Sequence, residues 1–266
     1  MTKKWRLILS NKCNGYYNMA VDEALLLNYS HQKIPTLRIY GWDKPFISLG
    51  YKQNPYEALN NLDQIPFVRR MTGGSVILHH RELTYSIVCA LGDLDLPKGV
   101  KESYKIICSF LKRFYGKLGF KAYFAKEVFS HSLGEYKNFC FSSQQEYDLV
   151  IKEKKIGGNA QRRRKDIIFQ HGSIPEKIDF LKISNLIKDT VNLEQKVVDL
   201  HSVLTSPLDF SELAKLLSQS FQQTFGVELV EGGLSDSEER ISNSLLKEKY
   251  VSDKWNLKAE AAFALG

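Results

Sequence analysis

What this 266-residue chain is short of narrows its chemistry first. It holds four cysteines, Cys13, Cys89, Cys108 and Cys140, at none of the CxxC or CxxH spacings that grip zinc or frame a disulfide fold. Cys89 and Cys108 fall in apolar periodic stretches and read as small buried hydrophobes. No run nears the roughly 18 apolar residues of a membrane span. The opening MTKKWRLIL has neither the apolar core nor the cleavage site of a secretory leader. A cytoplasmic protein without membrane attachment is therefore expected. There is no internal repeat, no Walker spacing, and no GxGxxG behind a strand. Basic residues interleaved with aromatics along a groove are not evident, which argues against nucleic acid as a partner.

What is present is ordinary globular composition, 43% hydrophobic and 25% charged, enough for one large core or for one domain with an appendage. The net charge of +7 favours acidic partners. Arg162-Arg163-Arg164-Lys165 is the densest basic run, and alone such a run reads as a solvated turn between strands. Periodicity predicts strands over residues 5–9, 36–40, 46–50, 67–70, 76–78, 83–90, 120–129, 147–151 and 166–174, the last ending at Pro175. Gly41-Trp42-Asp43-Lys44-Pro45 has the chemistry of a hairpin turn. Helices are predicted over residues 16–29, 55–61, 100–118, 211–225 and 235–250, with Asn14 or Asn18 as the first cap. After about residue 205 the pattern is helix only. The expected division is a catalytic domain over residues 1–204 and a C-terminal helical segment over 205–266. Strands and helices mix without βα alternation. That predicts an α+β fold with a mixed, largely antiparallel central sheet flanked by helices, plus a short C-terminal helical appendage.

Several stretches carry residues suited to chemistry. Arg69-Arg70-Met71-Thr72-Gly73-Gly74 joins two strands. Its paired glycines let a ligand lie against backbone N–H groups, and its arginines can neutralise a phosphate or carboxylate; Gly-Gly between strands is also simply a hairpin turn. His79 and His80 follow the next strand without acidic or cysteine residues in a metal-ligand pattern, which leaves a base or a strand-end hydrogen-bond partner. His171, before Gly172, carries the same two readings. Lys155 sits where the strand over 147–151 turns, ahead of two glycines. Cys140, between Phe139 and Phe141, is either a buried small residue or a nucleophile whose thiolate a neighbouring ammonium stabilises. A lysine also supplies the positive group that a thioester carbonyl needs when attacked.

In order along the chain stand Trp5-Arg6, Asn18-Met19-Ala20-Val21-Asp22-Glu23-Ala24, Pro35-Thr36-Leu37-Arg38-Ile39-Tyr40-Gly41-Trp42, Ser48-Leu49-Gly50-Tyr51 and Arg69 to Gly74. His79, Glu82-Leu83-Thr84-Tyr85-Ser86, Cys140-Phe141, Lys155-Ile156-Gly157-Gly158-Asn159-Ala160-Gln161 and Gln170-His171-Gly172-Ser173-Ile174 follow. Together, over residues 5 to 175, they resemble the lipoate/octanoate branch of the biotin–lipoate protein ligase superfamily. The resemblance implies a class II biotin–lipoate ligase-like catalytic domain, with an acyl pocket beside residues 70–74 and Lys155 against the acyl carbonyl. It makes Cys140 and Lys155 the catalytic pair. Arg70, Thr72, Gly73, Gly74, His79, Gly157, Asn159, Ala160, His171 and Gly172 become substrate-binding residues. Two chemistries occur in the branch. Octanoyltransferases take the acyl group from octanoyl-acyl carrier protein through a cysteine thioester and need no cofactor. Ligases activate a free acid with ATP and Mg2+. Both deliver to a lysine of a lipoyl-domain protein. Cys140, the Glu-Leu-Thr-Tyr-Ser segment, Ser75 in place of a third glycine and the compact tail resemble the transferases. His80 in place of an aspartate, and Ser142-Ser143-Gln144-Gln145 in place of a proline-containing run, depart from the family pattern.

Overall fold

The computed structural model describes residues 2–129 and 146–260. The chain begins with β1 (Lys3–Cys13), α1 (Gly15–Gln32), β2 (Thr36–Trp42), β3 (Phe46–Leu49), α2 (Pro55–Ala58), β4 (Phe67–Arg69), β5 (Ile77–His79) and β6 (Arg81–Ala90). Then come α3 (Val100–Lys117), β7 (Tyr123–Phe124), α4 (Ala125–Val128), β8 (Leu149–Ile151), β9 (Lys154–Lys155), β10 (Gly158–Arg164) and β11 (Ile167–Lys177). The rest is α5 (Phe180–Leu186), α6 (Leu193–Lys196), α7 (Leu200–Val203), α8 (Phe210–Phe225), β12 (Val227–Glu231), α9 (Asp236–Leu245) and α10 (Asp253–Lys258).

Six strands make the central sheet in the order β10-β11-β6-β2-β1-β12. The pairs from β10 to β2 are antiparallel, and those of β1 with β2 and β12 are parallel, so the sheet is mixed as expected. One face packs on α3 and α8. There Trp5, Tyr85, Phe110 and Phe221 form tilted and edge-on aromatic contacts in the largest apolar cluster. The other face takes α1 through Ile8, Val21, Leu25, Met71, Val88 and Phe169, and α9 lies across α1. A small sheet, β4-β3-β5, and another, β7-β8-β9, stand beside the large one.

Local chemistry explains the first helix. The Asn14 side chain accepts from the N–H of Tyr17, and Lys33 closes the far end in the left-handed region at φ 51°. Helix α1 is buried around much of its circumference because sheet and α9 hold it from two sides, so polar residues on it must find partners inside. They do. Arg38, fully buried on β2, donates to Asp22 Oδ1 at 2.7 Å, to Asn18 O at 3.1 Å and to Asn18 Oδ1 at 2.8 Å. The Asp22 carboxylate also takes the hydroxyls of Tyr40 and Ser86, each at 2.8 Å. This network fixes α1 against the sheet at the level of the cleft described below.

Several expected elements come out differently. Residues 41–45 do not close a hairpin: β2 runs on through Trp42, and β3 belongs to the small sheet. Arg69 to Gly74 is not a hairpin either, because β4 and β5 pair on opposite sides of β3. The expected strand over residues 120–129 is two residues of β7 followed by the helical turn α4. Strand β10 occupies residues read as a turn. It lacks β-branched residues and holds its place through seven consecutive partners on β11. Strand β11 passes Pro175 by a register shift between Pro175 and Lys177. The segment after residue 205 is not helix only. Gly226, at φ 62°, stops α8 and releases β12, which pairs with β1 at the sheet edge.

Candidate active site

A narrow cleft of about 30 Å3 lies where α1, β2, β10 and β11 meet the small sheet. Of the residues expected to bind substrate, Arg70, Gly74, His79, Asn159, Ala160, His171 and Gly172 line it. Thr72 reaches it through His171, its Oγ1 lying 2.7 Å from His171 Nε2. Gly73 and Gly157 do not line it. Gly73 is exposed, and its carbonyl accepts from Arg70. Gly157, at φ 88°, crosses so close to β11 that a Cβ would stand 2.4 Å from the carbonyl oxygen of Ser173.

The cleft's polar side chains are bonded to one another. His79 stacks on Trp42 with ring centroids 3.8 Å apart and planes 9° apart. Its Nδ1 lies 2.8 Å from Glu82 Oε1 and its Nε2 lies 2.7 Å from Ser48 Oγ. The Glu82 carboxylate also accepts the hydroxyls of Thr84 and Ser173, and Thr84 in turn accepts the indole N–H of Trp42 at 2.9 Å. A carboxylate only accepts, so Nδ1 of His79 is a donor to Glu82. His171 is held neutral: burial, with Arg70 and His79 nearby, drives its pKa well below the usual imidazole range. Asp22 Oδ2 stands 3.9 Å from its Nδ1. The Asn159 side chain accepts the Tyr85 hydroxyl at 2.7 Å, and its backbone carbonyl accepts the Tyr104 hydroxyl at 3.2 Å. The side-chain amide fills the space beside Gly172, where a Cβ would meet Asn159 Oδ1 at 2.0 Å. With Met19, Trp42 and Ile77 among its walls, the cleft suits an uncharged hydrocarbon chain better than a polyanion.

Both arginines of the pair donate to backbone carbonyls. Arg69 donates to six carbonyls, those of Gly50, Tyr51, Gln53, Trp255, Asn256 and Leu257. Arg70 donates to the carbonyls of Ser48, Gly73 and Ser75 and to Ser48 Oγ, bracing the loop around itself. The close approach of Gly50 to Gly74, whose carbonyl oxygen would lie 1.7 Å from a Cβ at Gly50, packs that loop further.

Lys155 is not among the cleft's walls. The turn after β8 comes earlier than expected, at Lys152 and Glu153 with φ 49° and 62°, so Lys155 sits within β9 rather than at the turn. Its Nζ is 2.6 Å from Asp148 Oδ2, and both side chains are buried. Sequence reasoning missed Asp148. The available signal was an acid and a lysine flanking one tight hairpin, the arrangement that pairs Val150 with Lys155. Cys140 lies outside the described residues, and so does its distance from Lys155. Among the described residues no group of three or more His, Cys, Asp or Glu is placed to hold a metal, and no helix is long and apolar enough to cross a membrane.

Beside the cleft, across the Met71-Thr72 segment, runs a second and larger hollow of about 590 Å3 between α1, the far end of β10, and α9. Residues 162–165 therefore belong to a strand end and its turn, and Arg162, Arg163 and Arg164 line this groove.

The sheet, its helices and a cleft at the start of β10 and the middle of β11 define an α+β protein of the ligase-like architecture expected above. The chain belongs to the lipoyl protein ligase A/B catalytic domain family, which its residues 14–222 match. It is 36% identical over 272 residues to a protein of Halalkalibacterium halodurans named Octanoyltransferase LipM, covering 96% of this chain and 99% of that one. Among solved structures, a lipoate-protein ligase A bound with ATP superposes with a TM-score of 0.81 at 22% identity, over 96% of this chain and 98% of that one. A bi-partite lipoate protein ligase of Thermoplasma acidophilum, solved in work on that ligase and its E2 lipoyl domain, gives 0.80 at 22% identity over 99% and 100%. These two likenesses speak for the fold alone.

Proposed function

We propose that this chain is an octanoyltransferase of lipoate assembly, moving an octanoyl group from acyl carrier protein to a lysine of a lipoyl-domain protein. The observation that carries the reading is similarity along nearly the whole chain to a protein of that activity, at 36% identity. A cleft whose polar groups are bonded among themselves supports it, because an octanoyl chain brings no charge to be met. In the first half-reaction the Cys140 thiolate attacks the thioester carbonyl, the carbon–sulfur bond to the carrier breaks, and the carrier thiol leaves with a proton. In the second, the acceptor's neutral lysine amine attacks the Cys140 thioester, a carbon–nitrogen bond forms, the Cys140 thiolate departs, and the proton the nitrogen sheds goes to solvent, balancing the one taken up with the carrier thiol. Lys155 supplies positive charge to the thiolate and to the developing oxyanion. Asp148 fixes that ammonium through one of its three N–H donors. Energy comes from the thioester, so the reaction needs neither ATP nor a metal, and the partners are carrier and acceptor proteins of the cytoplasm.

The test offers octanoyl-acyl carrier protein without ATP, and separately free octanoate or lipoate with ATP and Mg2+. The first is expected to support transfer, and Cys140→Ser to lower it by about a hundredfold or more. Undiminished transfer by Cys140→Ser would remove the covalent route. Transfer only with ATP and free acid would make the chain a ligase.

A further inference from the structure

Strand β10 carries two kinds of residue on one face. Alternate residues of a strand share a side, so Gly158, Ala160, Arg162 and Arg164 follow one another along the face turned toward α1. Ala160 pairs with His171 in the cleft. Arg162, two residues on, donates to the Met71 carbonyl at 2.9 Å and lies over the half-exposed Tyr51 ring at 5.9 Å, inside the groove. Arg163 faces the other way and is bound to the carbonyls of Lys98 and Gly99 and to Ser103. At about 3.3 Å per residue, Arg162 and Arg164 stand about 13 and 20 Å along the strand from Gly158. Small residues at the cleft thus give way to guanidinium groups at a fixed distance.

The groove adds Arg240 from α9 and Lys249 from the π-helical segment Leu246–Tyr250 that continues it, so that four cationic side chains, with Arg162 and Arg164, stand against the carboxylates of Glu23 and Glu248. Glu23 is occupied by Lys249 at 2.7 Å and by the Tyr250 hydroxyl at 2.6 Å. Between the charges the walls are apolar, with Leu26, Leu27, Ile241 and Leu245. An apolar floor ending in guanidinium groups suits one anionic group at the end of a long, mostly uncharged arm. It does not suit a nucleic acid, whose charges recur along its whole length.

Resting on the donor reading above, we propose that the groove binds the phosphate of the pantetheine arm that presents the octanoyl thioester. Arg162 and Arg164 take the phosphate, Arg240 closes over it, and the arm passes the Met71-Thr72 segment into the cleft. Extended, a pantetheine arm spans from its sulfur to its phosphate a length of the same order as the spacing along β10. The planar fork of an arginine holds phosphate oxygens pairwise, which a single ammonium does not.

The experiment compares three donors on the same enzyme preparation: octanoyl-phosphopantetheine, octanoyl-pantetheine without the phosphate, and octanoyl-acyl carrier protein. Wild-type enzyme is expected to favour the phosphorylated small donor by about tenfold or more in kcat/KM, and R162A/R164A to bring that ratio within about twofold of one. The ratio is internal to each preparation, so a loss of folded protein cannot imitate the result. A wild-type ratio near one, with transfer running from both small donors, overturns the proposal, as does a preference that survives the double substitution. Transfer from none of the three thioesters, together with transfer from free octanoate and ATP, overturns instead the donor reading on which it rests.

Discussion

On one side of the Met71-Thr72 segment the cleft keeps its polar groups bonded to each other: His79 to Glu82 and Ser48, His171 to Thr72, Asp22 to Arg38. On the other side the groove gathers the cationic side chains of Arg162, Arg164, Arg240 and Lys249 along one open hollow. The first arrangement selects by shape and by the cost of stranding a partner, and salt hardly reaches it. The second selects by charge, forgives small displacements, and weakens as ions screen it. One wall shared by both lets a single extended ligand meet the two kinds of selection at its two ends.

The difference can be broken most forcefully in the buried network. Asp22→Ala removes the carboxylate from a fully buried Arg38 and is expected to cost about 3–5 kcal/mol, read as a lower urea midpoint. Glu82→Gln comes next. The new amide turns N–H groups toward donors that now point at an acceptor, at about 1–3 kcal/mol for each group left unsatisfied. Smaller again is an acid effect. The folded chain holds His171 neutral, whereas the unfolded chain takes up a proton below the ordinary imidazole value, so the unfolded state binds more protons as the medium acidifies. Stability therefore falls below about pH 6.5, with a slope of up to about 1.4 kcal/mol per pH unit from this residue. His171→Asn should flatten that slope in unfolding measured from pH 7 downward. The groove should give the least: Arg162→Ala changes stability by about 0.5 kcal/mol or less. It should instead reduce the salt dependence of transfer from acyl carrier protein, measured as initial rates at low and high ionic strength. A large loss of stability from Arg162→Ala would erase the contrast.

Much of the frame was legible because local signals and packing agree. The cap at Asn14, the apolar stripe of α3 and the buried run of β6 each mark an element that tertiary contacts keep. Strand β10 was hidden because Gly-Asn-Ala-Gln-Arg-Arg-Arg has neither alternation nor β-branching, and only β11 makes it a strand. Strand β12 was hidden behind a helical context, although Gly226 followed by Val-Glu-Leu-Val-Glu marks a helix stop and a short edge strand. In the site, the glycines and histidines could be named from their motif. Their bonds could not, because Glu82, Ser48 and Asp148 meet their partners only through strand pairing. Arg69 was misread for a related reason: two adjacent arginines look alike in sequence, and the backbone decides that one faces six carbonyls.

Three of those six carbonyls belong to Trp255, Asn256 and Leu257, nearly 190 positions after the arginine that gathers them. During synthesis, then, Arg69 waits with half its acceptors still unmade, and the loop it anchors beside the cleft stays unfinished until residue 257 has cleared the ribosome. A nascent chain halted before that point carries every glycine and histidine of the cleft and lacks the clasp that braces the loop beside them, which closes only once α10 docks.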